Sequence, residues 1–139
     1  MNTRVAISAV LMAVMSLVLG FVVHGWLLEP DYKALGALFR PEDQQMGFFG
    51  FMIAAHVLIG AGFTWIYRMG REQKPFLGQG VRFGVAVAVM SWIPTYLIYY
   101  AVQPMPGGLV ARQVVFELIL MVLLGILVAW LYRPSGAAR

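Results

Sequence analysis

The chain has no cysteine, only 12% charged residues, two histidines and six acids among 139 residues. Each shortage excludes something. Without cysteine there are no disulfides, no thiolate metal sites and no cysteine nucleophiles, and the redox compartment leaves no trace in the sequence. Soluble domains carry about 25% charge, so half that amount leaves too little polar surface for one. The net charge of +4 collects at helix ends, where it sets membrane orientation, and no nucleic-acid role is expected.

What is present is hydrophobic length. Hydrophobic residues make up 61% of the chain, and the mean hydropathy is +0.80. Four apolar runs, Val5–Leu28, Met46–Tyr67, Phe83–Val102 and Leu109–Tyr132, each approach the roughly 20 helical residues that cross a bilayer core. The expected fold is an all-α membrane protein, an antiparallel bundle of four transmembrane helices forming a single domain over residues 1–139. Arg4 before an apolar run imitates a leader peptide. The run continues past Gly20 to Trp26 with no A-x-A-like site, which predicts a retained span. So small a bundle turns most side chains to lipid and keeps a thin interior, so a protein partner or a homo-oligomer is expected beside the lipid bilayer.

Charge placement predicts orientation. Arg4, the connection with Arg68, Arg71, Lys74 and Arg82, and Arg133 with Arg139 fall on one side; Lys33, Arg40 and Arg112 fall on the other. Basic residues favour the cytoplasmic side of short loops. Both termini are therefore expected in the cytoplasm, in a bacterial inner membrane, with the first and third connections outside. In the first connection, Asp31 can cap a short helix in which Tyr32, Leu35, Leu38 and Phe39 recur near helical spacing. That pattern suits a surface helix acting as a lid. Pro41, followed by Glu42 and Asp43, reads as a helix start. In the second span, Gly50 and Ala54 have small-xxx-small spacing, which predicts a central packing position for that helix. Pro94 predicts a kink in the third span.

The chemistry concentrates in a few intramembrane polar residues. Glu117 lies deep in an apolar helix, where a charged group costs several kcal/mol unless it is paired or protonated. Such a residue is expected to face the interior. On a 1.5 Å rise, His56 lies roughly 15 Å and Glu117 roughly 12 Å from the outer boundary, so His56 or a tyrosine of the third span is the expected partner. His24, Tyr96, Tyr99 and Arg112 complete the candidate site in the outer half. A structural reading, an interhelical hydrogen-bond network with an aromatic belt, stands beside a functional one, a small site for a headgroup, a quinone ring, a solute or protons. His24 and His56 differ by roughly 9 Å in depth on the same rise, which does not suit a bis-histidine haem. A His-Glu metal site lacks a third ligand, and no cofactor is expected. With no nucleophile or metal set, the chain reads as a non-enzymatic accessory or assembly subunit of a larger complex. The alternative is a small transporter or proton-conducting channel built on Glu117 and His56.

Gly25-Trp26 closing the first span, Gly78-Gln79-Gly80 opening the third, and the final Trp130-Leu131-Tyr132-Arg133 together resemble the small four-helix bacterial inner-membrane proteins catalogued as domains of unknown function. That resemblance implies a fold and no activity, and it supplies no site residues.

Overall fold

The computed structural model describes residues 3–133, apart from the side chains of residues 37 and 42. Arg139, counted above among the basic residues at the chain's end, lies outside the described residues, as does residue 1. Among the described residues every regular element is helical. Four helical stretches are long and apolar enough to cross a membrane: Thr3–Leu27, Asp43–Gly70, Phe76–Val102 and Gly107–Leu131. The protein is an all-helical chain with the features of an integral membrane protein.

Helix α1 (Thr3–Gly20) accommodates two buried serines by turning their hydroxyls onto its own backbone. Ser8 Oγ donates to Arg4 O at 2.8 Å and Ser16 Oγ to Ala13 O at 2.9 Å. Without such bonds, a hydroxyl in an apolar layer would cost a few kcal/mol. The span then widens into a π-helical segment, Phe21–Leu27, which ends with Leu28 N donating to Val23 O at 2.9 Å. Gly25 permits this segment. The Phe21 ring occupies the place where a Cβ at Gly25 would stand.

The first connection holds a short helix, α2 (Glu29–Ala34), and a 3-10 turn, Gly36–Leu38, so a short helix is present where one was expected. Asp31 does not cap it. The helix begins at Glu29 after Leu28, with Pro30 in its first turn, and Asp31 instead pairs with Arg112 at 2.6 Å. The second span starts directly after Pro41. It runs through α3 (Glu42–Gln45) and a 3-10 turn (Met46–Phe48) into α4 (Phe49–Gly70).

The third span starts earlier than hydropathy predicts, at Phe76, and divides into α5 (Phe76–Met90) and α6 (Trp92–Val102). The break falls at Ser91, three residues before Pro94. Proline has no N–H for the carbonyl one turn back, and its ring crowds that turn. Around the break, Ser91 Oγ donates to Val87 O at 2.6 Å and Thr95 Oγ1 to Ser91 O at 2.8 Å, adding to the backbone N–H bonds those carbonyls already accept. The kink expected from Pro94 is present.

Helix α7 (Gly107–Leu131) is the central element. It packs most extensively against α5 and also meets α6, α1 and α4, while α1 pairs with α4. This corrects the expectation that the second span is central on account of Gly50 and Ala54. Every residue from 46 to 55 is exposed, with Phe51 at 75%, and nothing of the chain approaches Gly50. Small residues allow close contact but do not create it. The close approaches use other glycines. Gly60 lies against the backbone of Ala9 and Ala13, and Gly80 and Gly84 interlock with the backbone of Met121, Val122, Gly125 and Ile126. A core of Met12, Phe63, Ala88, Leu120, Met121, Leu124 and Val128 fills the half of the bundle near the basic connection. Edge-to-face contacts of Phe63 and Tyr67 with Phe83 close it.

Candidate functional site

The intramembrane polar residues gather at the end of the bundle that carries α2. Glu117 faces the interior, 3% exposed, as expected. Its neighbour is His24 and not His56: His24 Nε2 stands 3.9 Å from Glu117 Oε2 and 3.5 Å from the Tyr96 hydroxyl. On its other side, His24 Nδ1 is 2.7 Å from the Tyr32 hydroxyl, and the Gln113 amide donates to that hydroxyl at 3.1 Å.

A phenol has one hydrogen and accepts through its lone pairs. With Gln113 donating to it, the Tyr32 hydroxyl either donates to His24 Nδ1, which puts the histidine hydrogen on Nε2 toward Tyr96 and Glu117, or accepts from Nδ1–H, which leaves Nε2 an acceptor. Burial holds the Tyr32 phenol above its usual range, so Tyr32 keeps its hydrogen at neutral pH. At 3.9 Å, Nε2 and Oε2 are beyond hydrogen-bond length, and Glu117 Oε2 has no hydrogen-bond partner; neither has Gln113 Oε1. Two buried acceptors one helical turn apart on α7 are thus left open, an arrangement suited to a ligand or partner that brings hydrogen-bond donors.

His56 is corrected in the same way. It bonds Ser16 at 2.8 Å through Nδ1 and packs over Gly20. Because Ser16 Oγ donates to Ala13 O, His56 Nδ1–H is the donor to Ser16. The depth comparison that paired His56 with Glu117 failed because α4 leans on α1 and its upper half stands away from α7. His24, expected as a further member of the candidate site, is the histidine that stands beside Glu117.

Arg112 lies outside the buried cluster, where it fixes α2 to α7 through Asp31. Tyr99 is 46% exposed and takes no part. Tyr32 and Gln113 are the members that sequence reasoning did not assign to the site. The opposite charges of Asp31 and Arg112 were the available signal that α2 folds back onto α7. Beside His24 lies a cavity of about 640 Å³, bordered by Tyr32, Glu29, Lys33, Arg40 and Gln45. His24 links it to Glu117. Among the described residues no three His, Asp or Glu side chains converge as a metal site.

The site therefore has hydrogen-bond donors and acceptors, one carboxylate and one imidazole, in a half-enclosed position open to one end of the bundle. That equips it to hold a polar group or exchange a proton. Compared with known proteins, the chain matches no family model, no curated protein and no solved structure.

Proposed function

We propose that the chain is a non-enzymatic integral membrane protein that serves as an accessory or assembly subunit of a larger membrane complex, in a bacterial inner membrane with both termini cytoplasmic. One observation carries this reading: the polar chain from Tyr32 through His24 stops at Glu117, and the core beyond it is mainly apolar. A conducting protein needs polar groups or a gap along its whole depth. Here the far half is packed with Met12, Phe63, Leu120, Met121, Leu124 and Val128. Of its buried hydroxyls, Ser8 and Ser16 turn onto their own helix backbone, while Thr64 Oγ1 has no hydrogen-bond partner among the described residues. Glycines bring α5 and α7 into backbone contact. A site open to one side suits recognition of a partner or a bound group. The exposed 46–55 segment provides a further helix face for a neighbouring subunit.

The full-length tagged chain, solubilised in a mild detergent, is expected to copurify with another membrane protein. Recovery solely as a monomer or homo-oligomer would overturn the proposal. The second reading, a transporter or proton conductor built on Glu117 and His56, draws support from the unpartnered Glu117 Oε2. It predicts proton flux in liposomes that Glu117→Gln removes, whereas the accessory reading predicts flux at the level of empty liposomes.

Orientation has its own test. Reporter fusions at Lys74 are expected to report cytoplasm, and fusions at Gly107 the opposite side. The reverse result would invert the topology.

A further inference from the structure

The opposite end of the bundle carries a second built site, separate from the Glu117 cluster. A cavity of about 490 Å³ is lined by Arg4, Arg71, Lys74, Arg133 and Tyr132, with Glu72 as the one carboxylate among its described lining residues. Lys74 pairs with Glu72, so those two charges offset each other, and Arg71 and Arg133 keep the described lining basic. The guanidiniums of Arg4 and Arg71 lie 5.1 and 5.5 Å from the centroid of the Tyr132 ring. Arg4 is anchored by donating to Leu131 O at 2.6 Å.

The wall is held in place before any ligand arrives. Gln79, itself buried, clamps the 72–74 turn: its Oε1 accepts from Glu72 N at 2.8 Å, and its Nε2 donates to Glu72 O at 2.8 Å and to Lys74 O at 2.7 Å. Inside this wall Tyr132 is only 7% exposed, yet its hydroxyl has no hydrogen-bond partner among the described residues. Buried hydroxyls are normally satisfied. An unsatisfied donor among arginines points to an acceptor-rich anion.

We infer that this pocket binds a phosphate group, with Arg71 and Arg4 pairing its oxygens and the Tyr132 hydroxyl donating to one of them. Guanidinium and phosphate match in charge and in bidentate geometry. A basic pocket between helices at a membrane boundary is the usual seat of an anionic lipid headgroup. A soluble phosphate would meet the same groups.

The test uses the full chain in mild detergent. Retention of phosphatidylglycerol and phosphatidylcholine is compared by native mass spectrometry, and thermal stabilisation by inorganic phosphate is measured alongside. The expected result is about a tenfold preference for phosphatidylglycerol, reduced by about that factor in Arg71→Gln and in Tyr132→Phe, since each removes one charge-assisted contact. Tyr132→Phe deletes only an unpaired hydroxyl and leaves the fold intact, so its loss of binding is not a loss of protein. Stabilisation by inorganic phosphate that Tyr132→Phe abolishes, with no lipid preference, assigns the site to a soluble phosphate. Absence of both effects, or their persistence undiminished in both variants, overturns the inference.

Discussion

Glu117→Leu is expected to leave the bundle at least as stable as the native protein, with a gain of up to about 2 kcal/mol, while His24→Phe is expected to lose about 1–3 kcal/mol. Both residues are polar and intramembrane, but their bonding differs. Glu117 Oε2 is buried without a hydrogen-bond partner, so leucine removes a desolvated acceptor and leaves no close hydrogen bond broken at that atom. His24 Nδ1 and the Tyr32 hydroxyl share a 2.7 Å bond, and removing the imidazole takes one of the two polar partners from a half-buried phenol that Gln113 also holds. Thermal unfolding of the purified variants measures both changes. Loss of folded Glu117→Leu protein would show that the carboxyl is structural. Stability kept at the expense of partner recovery would show that the acid is retained for function. Glu117→Gln then separates the two roles: it preserves hydrogen bonding and removes titration, so retained partner binding identifies a recognition group, and lost binding identifies a proton-dependent one.

Gly84→Leu is expected to destabilise the bundle by about 3 kcal/mol or more and to deplete folded protein, while Gly50→Leu changes stability by no more than about 0.5 kcal/mol. At Gly84 a Cβ would fall onto the backbone of Met121 and Val122, whereas a Cβ at Gly50 would meet, beyond its own helix backbone, no described atom within 4 Å. Backbone cannot move aside as the end of a flexible side chain can. The interlocked α5–α7 pair would have to separate along its length, losing the contacts that close the bundle around Met121 and Leu124. Detergent-resistant folding assayed by thermal denaturation distinguishes the two variants. Equal effects would mean that the outer half of α4 is packed after all.

Gly50 and Gly84 also mark the boundary of what sequence reading can reach. Both sit in apolar helices, and both look suited to close packing. Spacing identifies glycines that could admit a neighbouring helix, but the neighbour's presence depends on how the four helices lean, which a single helix does not encode. Pro94 is the opposite case. Its missing N–H acts within its own helix, so the break at Ser91 could be foreseen. Glu117 is intermediate. Its need to face inward follows from the cost of a carboxyl in hydrocarbon, whereas His56 does not face it, because depth along a helix does not say which helices lean together and α4 pairs with α1.

The sequence by itself determined the helical class, the four apolar stretches of spanning length, the short helix of the first connection and the burial of Glu117, since each follows from local apolarity, local backbone chemistry or the cost of burying one charge. Only the tertiary structure decided that α7 is central, that His24 and not His56 faces Glu117, that Tyr32 folds in from the connection, and that Arg4 and Arg71 converge on Tyr132. These depend on contacts between residues far apart in the chain, and in an apolar surrounding many helix arrangements bury similar area, so the choice rests on the fit of particular glycines, rings and polar groups.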